Sequence, residues 1–283
     1  MQYLFLRFPE GKTKAVTLSY DDNSIHNIRF SDTISKYGLK CTFNLNTERT
    51  TNAFKQADVE EHILKQGHEV AVHGLQHRAP GTLRAIEGIK DVLNCRLELE
   101  SRYGMIIRGM AYPDSGINCI HPGTDYETIR NYLKELGIVY SRTLGGDNNK
   151  FQLPTDWYAW MPSMHHANPN AMEYIDDFLK IDVNGTYVSA RYPRLCYIWG
   201  HAHEFERNQN WDLLDNICEK IANKEDIWYA TNIEIYNYVE AYKSLVFSAD
   251  GNTVYNPTLY EIWFDVDKKL YNIKSGETIK INA

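Results

Sequence analysis

Short apolar runs rich in β-branched residues alternate with amphipathic helical segments over most of the chain, and this alternation limits the possible folds more than any other feature. The predicted strands are Ala15–Tyr20, Cys41–Leu45, Glu69–Val72, Ile106–Tyr112, Ile138–Ser141, Leu195–Trp199 and Ile227–Ala230. The predicted helices are Asp58–Gln66, Thr82–Tyr103, Tyr126–Leu136, Met172–Lys180, Trp211–Ala222 and Ile233–Lys243. Because parallel strands need long crossover connections, about seven strand–helix repeats predict an α/β fold with a parallel sheet, and a barrel is one closure of such a sheet.

After Lys243 the helical segments stop. The stretch from Leu245 to Ile281 consists of short β-type runs, separated by the turn signals Asp250–Asn252, Asp267–Lys268 and Ser275–Gly276. Short strands joined by tight turns are typical of antiparallel pairing. We therefore predict a barrel over residues 1–244 and a small antiparallel β extension over residues 245–283.

Composition argues against two classes of partner. The 283 residues carry 30 Lys plus Arg against 37 Asp plus Glu, a net charge of −7, whereas a protein that follows a nucleic-acid backbone needs a basic surface. No stretch approaches about 18 consecutive apolar residues, the length that a membrane span requires. Neither nucleic-acid binding nor a membrane span is expected.

The cysteines and the start of the chain bear on the compartment. Five Cys are scattered at positions 41, 95, 119, 196 and 218, without the paired spacing or density of a disulfide scaffold, so reduced thiols are expected. The apolar run in the first ten residues is broken by Arg7 and Pro9 and is too short for a signal peptide. The chain itself predicts a cytoplasmic protein, or an extracytoplasmic one if a signal has been removed.

Polar residues follow several predicted strands, where the reactive side chains of an α/β barrel collect. Asp21 and Asp22 follow the first strand, and His73 and His77 follow the third. A spacing of four residues places two imidazoles on one face of a helical turn. Two His and one Asp form a ligand set that leaves positions open for water and substrate, which favours a catalytic metal site.

The order of these motifs resembles the polysaccharide deacetylases with a NodB-homology domain, carbohydrate esterase family 4. Ser19–Asn23 is similar to their first motif, usually Thr-Phe-Asp-Asp-Gly, and His73–His77 is similar to their second, a His pair. Tyr112–Pro113 falls where their third motif, Arg-x-Pro-Tyr, is expected. Asp156–Trp157 resembles the fourth motif and Ile198–His201 the fifth. The fold that this resemblance implies is a distorted barrel of about seven β/α units, in agreement with the count of repeats.

The resemblance implies that Asp22, His73 and His77 bind one divalent metal ion and that Asp21 is the general base. Such an ion lowers the pKa of a bound water from about 15.7 towards 7. The side-chain chemistry of the set suits zinc first, with cobalt, nickel or manganese as alternatives. The developing oxyanion would be stabilised by the metal and by a backbone N–H near Tyr112.

The fifth and fourth motifs imply a general acid and its partner. His201 would protonate the leaving group, and Asp156 would orient His201 and raise its pKa. His203, two residues later, remains an alternative acid. Trp157 flanks this pair and would offer a flat face to a sugar.

Three departures from the family pattern matter. Asn23 replaces the glycine of the first motif, and Gly74 replaces the hydroxyl residue of the second. The Arg of the third motif, which holds the general base in the family, is missing from its usual place. Arg108, a few residues earlier, could replace it only if the end of its strand is bent.

The expected function is a metal-dependent hydrolase that removes N- or O-linked acetyl groups from an acetylated sugar or polysaccharide. One alternative is an amidohydrolase that acts on a small substrate such as a cyclic ureide or imide. Another is a carbohydrate-binding protein with an impaired site, which the missing Arg suggests. The sequence does not specify the sugar, the linkage or the oligomeric state.

Overall fold

The structure, a computed structural model, describes residues 3–47, 54–114, 116–118, 124–144 and 146–281. The strands are β1 (Leu4–Arg7), β2 (Lys14–Asp21), β3 (Cys41–Leu45), β4 (Glu69–Val72), β5 (Gly109–Ala111), β6 (Tyr140–Arg142), β7 (Met164–His165), β8 (Arg194–Gly200), β9 (Ile227–Tyr229), β10 (Val246–Phe247), β11 (Thr253–Tyr255), β12 (Ile262–Val266), β13 (Lys269–Ile273) and β14 (Thr278–Lys280). The helices are α1 (His26–Lys36), α2 (Gln56–Val59, continued by a π-helical turn at Glu60–Leu64), α3 (Ala85–Tyr103), α4 (Tyr126–Glu135), α5 (Ala171–Lys180), α6 (Ala202–Arg207), α7 (Trp211–Ile221) and α8 (Asn232–Lys243). Short 3-10 turns lie at Pro9–Gly11, Pro80–Thr82, Trp157–Ala159 and Val188–Ala190.

Parallel strands form the central sheet, in the order β6-β5-β4-β3-β2-β8-β7. The first residues of β2 also pair with β9, so that β9 and β3 share one edge of β2. The segment before β7 reaches the opposite end of the sheet, because Trp160 forms a parallel bridge with Arg142 of β6. The strands therefore curve into a distorted barrel, and the predicted α/β barrel is confirmed.

Local sequence signals explain where the helices begin and end. The Asp125 side chain accepts a hydrogen bond from the Thr128 N–H at 2.8 Å and caps α4. Thr231 and Glu234 form a reciprocal capping box at the start of α8. Helix α3 ends at Gly104, whose φ of +63° is a conformation that glycine adopts without strain. No helix in the described residues is both long and apolar enough to cross a bilayer.

The barrel interior is unusually polar. Leu18 and Tyr20 of β2 belong to the main hydrophobic cluster, while the alternate residues Ser19 and Asp21 are buried among polar groups. Asn44 of β3 donates hydrogen bonds to Ser19 Oγ and Asp21 Oδ1, both at 2.8 Å. These partners satisfy side chains that would otherwise be costly to bury, and they fix the side chain of Asp21.

A buried carboxyl group lies at the other end of the barrel. Glu69, the first residue of β4, accepts hydrogen bonds from Tyr140 Oη at 2.6 Å, Thr42 Oγ1 at 2.7 Å and the Ile233 N–H at 2.9 Å. Burial raises the pKa of Glu69 from 4.5 to about 7, although the three donors act in the opposite direction. Glu69 thus ties the start of α8 to the barrel and titrates near neutral pH.

We expect Glu69 to make stability fall as pH rises from about 4.5 to 7. The folded protein binds its proton more tightly than the unfolded chain, so the free energy of unfolding should drop by about 3 kcal/mol across this interval and then level off. Glu69→Gln removes the titration. Urea unfolding at several pH values should show the variant gaining about 3 kcal/mol relative to wild type with rising pH, and a constant difference would contradict the assignment.

The antiparallel extension forms two small sheets. One has the strand order β10-β11-β14, and the other has the order β1-β12-β13. The amino-terminal strand β1 thus pairs with β12, with Leu4 opposite Val266 and Arg7 opposite Trp263. Antiparallel strands after residue 244 are confirmed, whereas the domain boundary at 244/245 remains a prediction, because β1 belongs to a sheet of the extension.

An ion cluster connects this extension to the barrel. Asp265 of β12 forms an ion pair with Arg191 and lies 3.9 Å from the guanidinium of Arg7. All three side chains are buried. Asp265 also accepts a hydrogen bond from the Lys268 N–H at 3.0 Å. One carboxylate therefore balances two buried guanidinium groups from different parts of the chain.

The described cysteines agree with the expected reduced thiols. Cys41, Cys95, Cys196 and Cys218 are free and buried, and burial raises the pKa of each thiol. Cys119 lies outside the described residues. The four behave as small apolar core residues.

Candidate metal centre

Three predicted ligands converge at the carboxyl ends of β2 and β4. The Oδ1 atom of Asp22 lies 3.6 Å from His77 Nε2 and 4.0 Å from His73 Nε2. One ligand atom from each of the three residues falls within 4.8 Å of the others. Asn46 donates a hydrogen bond to Asp22 Oδ1 at 3.0 Å and steadies the carboxylate. The structure thus brings Asp22, His73 and His77 together as expected.

The loop from His73 to His77 achieves this convergence without a helix. The expected helical turn is wrong, because Gly74 and His77 have φ values of +78° and +57° and no helix is present there. The N–H of Gln76 donates to the Asp91 side chain of α3 at 2.9 Å. A Cβ at position 74 would collide with that carboxylate, so a Ser or Thr would not fit here. Asp91 therefore braces the loop in place of a hydroxyl residue at position 74.

The protonation of His73 fits a metal ligand. Its Nδ1–H donates to the carbonyl of Ala111 at 2.9 Å, which leaves Nε2 with a free lone pair. This Nε2 is buried and has no hydrogen-bond partner. A buried, unpartnered imidazole nitrogen facing a carboxylate is costly unless something binds it. The two imidazoles and the carboxylate therefore suit a divalent cation of the borderline class, to which zinc belongs.

Asp21 is held beside these ligands by two donors. Arg142, the last residue of β6, donates from Nη2 to Asp21 Oδ2, and Asn44 donates to Oδ1 at 2.8 Å. Burial raises the pKa of Asp21, but Arg142, His73, His201 and Asn44 together outweigh it, so the pKa lies below its usual value. The Asp21 carboxylate is therefore ionised and fixed in orientation.

Arg142, and not Arg108, contacts the expected base. Arg108 precedes β5 and lies at the amino end of that strand, whereas Asp21 lies at the carboxyl end of β2. The guanidinium of Arg108 is instead 5.8 Å from the ring centroid of Tyr236 in α8. Arg142 is fully buried, and its guanidinium lies 4.4 Å from the ring centroid of Trp199. The missing Arg of the third motif is thus replaced from the neighbouring strand.

Glu204, and not Asp156, is the carboxylate beside His201. His201 is the cap residue before α6, and its Nδ1 lies 3.5 Å from Glu204 Oε2. Burial lowers the pKa of His201, but Glu204, Asp21 and Asp22 more than offset this, so the pKa is raised. Asp156 accepts hydrogen bonds from Tyr126 Oη at 2.7 Å and the Tyr158 N–H at 2.9 Å. The expected pairing of Asp156 with His201 is corrected, because Asp156 precedes the strand segment at Trp160 and lies near its amino end.

Three further expectations concern neighbours of the site. Strand β8 ends at Gly200, so His203 lies inside α6 and not on a continued strand with His201. The N–H of Tyr112, expected near the oxyanion, donates to the Arg142 carbonyl at 2.9 Å, and its Oη donates to the Tyr158 carbonyl at 2.8 Å. Trp157 donates from Nε1 to Glu240 of α8 at 2.8 Å. The N–H and hydroxyl of Tyr112 and the indole N–H of Trp157 are therefore all used in hydrogen bonds within the fold.

Sequence reasoning missed Arg142, Asn44 and Glu204, although a signal for each was present. Asn44 lies near the end of a predicted strand, and Arg142 directly follows another. Both are therefore in the region where the reactive side chains of an α/β barrel collect. Glu204 lies three residues after His201, as in a capping box. A search of every strand end, including β3 and β6, would have found the first two.

Comparison with known proteins agrees with the sequence motifs. The family model described as polysaccharide deacetylase matches residues 9–141. This range contains Asp21, Asp22, His73 and His77, and it ends before Arg142. The resemblance seen in the sequence is thereby confirmed. Among curated proteins, none matches the chain significantly.

Two solved structures share the fold at low sequence identity. A protein described as a polysaccharide deacetylase from Mycobacterium smegmatis aligns with a TM-score of 0.56 and 16% identity, over 86% of this chain and 96% of the other. A 4-alpha-glucanotransferase from Thermococcus litoralis aligns with a TM-score of 0.56 and 11% identity, over 80% of this chain and 40% of the other. At these identities the likeness concerns the barrel fold alone.

Proposed function

Since residues 9–141 match the family model of the polysaccharide deacetylases, we propose that this protein is a metal-dependent hydrolase that removes N- or O-linked acetyl groups from an acetylated sugar or polysaccharide. The observation that carries the proposal is the position of the ionised Asp21 beside the ligand set of Asp22, His73 and His77. His73 Nε2 lies 3.8 Å from Asp21 Oδ2. A base next to an open ligand set is what acyl hydrolysis by activated water requires.

Asp22, His73 and His77 would hold the metal ion. A divalent cation bound there supplies Lewis acidity toward the acetyl carbonyl and makes a water acidic enough to deprotonate near neutral pH. We favour zinc for this ligand set, with cobalt, nickel and manganese as alternatives.

Asp21 would act as the general base. Its Oδ2 accepts from Arg142 and its Oδ1 from Asn44, and each oxygen retains further lone-pair capacity for the proton of an attacking water. Because Arg142 fixes the carboxylate in one orientation, no reorganisation is needed when the proton is transferred. The charge of Arg142 also keeps Asp21 ionised between turnovers.

His201 would act as the general acid. With Nδ1 near Glu204, Nε2 is the ring nitrogen left to donate a proton to the leaving nitrogen or oxygen. The raised pKa of His201 keeps the ring protonated at a higher pH than an unperturbed imidazole. Glu204 thus takes the position that Asp156 was expected to occupy.

The proposal is tested by acetate release over a panel of N- and O-acetylated oligosaccharides, with metal content measured on the same samples. We expect acetate release from at least one substrate by metal-loaded protein, and loss of release in Asp21→Asn with the metal retained. Turnover of cyclic ureides or imides without acetate release would favour the amidohydrolase alternative. Sugar binding without turnover would favour the carbohydrate-binding alternative. The missing Arg of the third motif suggested that alternative, and the contact of Arg142 with Asp21 weakens it.

A further inference from the structure

A second cluster of potential ligands lies at the carboxyl ends of β7 and β8. Glu204 Oε2 is 3.1 Å from His165 Nε2 and 3.5 Å from His201 Nδ1. One ligand atom from each of His165, His201 and Glu204 falls within 4.8 Å of the others, as it does at the first centre. The side chains of these residues are 14–24% exposed, so an ion from solvent can reach them.

The spacing of these atoms fits one cation. Ligand atoms bound to zinc at about 2.0–2.1 Å with tetrahedral angles lie about 3.4 Å from each other. The separations of 3.1 and 3.5 Å around Glu204 lie on either side of this value, and those around Asp22 are 3.6 and 4.0 Å. The second cluster therefore meets the same spacing criterion for a metal as the first.

A buried imidazole nitrogen without a hydrogen-bond partner also faces this cluster. His166 is 1% exposed, and its Nε2 lies 3.5 Å from Glu204 Oε2 without a hydrogen-bond partner. Its ring is held by Tyr20 Oη at 3.2 Å from Nδ1 and by stacking on Phe205 at 4.2 Å between centroids. A Cβ on Gly200 would collide with this ring, so glycine is needed for the ring to sit there. The chain thus packs a third imidazole against Glu204 and leaves its nitrogen unsatisfied.

We propose that Glu204, His165 and His201 form a second binding site for a divalent cation of the zinc type, separate from the centre at Asp22, His73 and His77. His166 Nε2 faces the same carboxylate oxygen from the buried side, so it would lie close to the ion. The binding claim stands without the proposed function, whereas its effect on turnover rests on that function.

Cation binding would change which ring nitrogen of His165 carries the proton. The Ala167 N–H donates to His165 Nδ1 at 3.1 Å, so the neutral ring carries its proton on Nε2, toward Glu204. A cation on Nε2 would take the place of that proton, which would then lie on Nδ1, and the exposed Ala167 N–H would donate to water instead. A cation held between His201 Nδ1 and Glu204 would separate the proposed general acid from its carboxylate partner. Excess zinc is therefore expected to inhibit deacetylation by about tenfold or more.

Equilibrium dialysis against zinc, starting from chelator-treated full-length chain, tests the site. We expect about two zinc ions per chain in the wild type, and about one in His165→Gln and in Glu204→Gln. His73→Gln should also bind about one, at the second site. Variants at 165 and 204 that both bind as many zinc ions as the wild type would overturn the proposal, whether or not the first centre is loaded.

His62→Gln is the matched control. His62 Nδ1 also contacts a carboxylate, Asp32 Oδ1 at 2.9 Å, but this pair belongs to no three-ligand group among the described residues. The control should bind about two ions, like the wild type. Thermal melting of each variant shows whether the fold is intact, and His165→Gln, at a more exposed position than Glu204, gives a second route should Glu204→Gln fail to fold. Failure of the proposed function would appear instead as absent acetate release with the first site loaded.

Discussion

Replacing Arg142 by Met is expected to lower kcat for deacetylation by about a hundredfold to a thousandfold. The guanidinium is the charged partner of the buried Asp21, so its removal frees the carboxylate to rotate and raises the pKa of Asp21. Arg142→Lys keeps the charge and one donor, and should retain activity within about tenfold of wild type. Acetate release under saturating substrate, with metal content checked by elemental analysis, measures both variants.

Arg108→Met is the matched control for this prediction. Arg108 contacts the ring of Tyr236 and lies at the amino end of β5, so its loss should change kcat by no more than about twofold. A large loss of kcat in Arg108→Met with full activity in Arg142→Met would reverse the assignment. Because an unpaired buried carboxylate also destabilises the fold, the unfolding midpoint of Arg142→Met must be measured alongside its activity.

The second large effect concerns stability, at Asp265. Asp265→Ala leaves the guanidinium groups of Arg7 and Arg191 buried without a counter-charge, and we expect a loss of about 3–5 kcal/mol in the free energy of unfolding. Urea or guanidinium unfolding measures this loss, and a second transition at low denaturant would show that the extension opens first.

Glu61→Ala provides the comparison with an exposed ion pair. Glu61 and Lys65 are 61% and 69% exposed, so breaking their contact should change stability by less than about 1 kcal/mol. A loss in Asp265→Ala as small as the loss in Glu61→Ala would mean that the two guanidinium groups find solvent or other acceptors. The extension would then not depend on this cluster.

The fold could be predicted from the sequence because its signals are local. Apolar runs such as Leu195–Trp199 and capped helices such as Ile233–Lys243 recur within a residue or two of β8 and α8. Strand β1 was not predicted, since its partner β12 lies at the far end of the chain. The sequence of β12 indicates a strand, but nothing in either segment indicates that these two distant segments pair.

The candidate site was predicted in part, and the two errors share one cause. Side chains at the carboxyl end of a strand meet those of its neighbours, whereas side chains before a strand lie on the opposite side of the barrel. Arg108 and Asp156 both precede their strand segments, since the predicted strand Ile106–Tyr112 began before β5 and no strand was predicted near Trp160. Asp22 follows β2, and His73 and His77 follow β4; both strands were predicted, and the three side chains do converge.

The pairing of β1 with β12 also has a consequence for the order of folding. Strand β1 is synthesised long before its partner β12, so its sheet is complete only after residues 262–266 have left the ribosome. Until then the apolar side chains of Phe5 and Leu6, on opposite faces of β1, lack part of their cover, and the barrel strands can pair in the meantime. Closure of this sheet is therefore expected to be a late event in folding, and Leu6→Ala should mainly accelerate unfolding with little change in the folding rate.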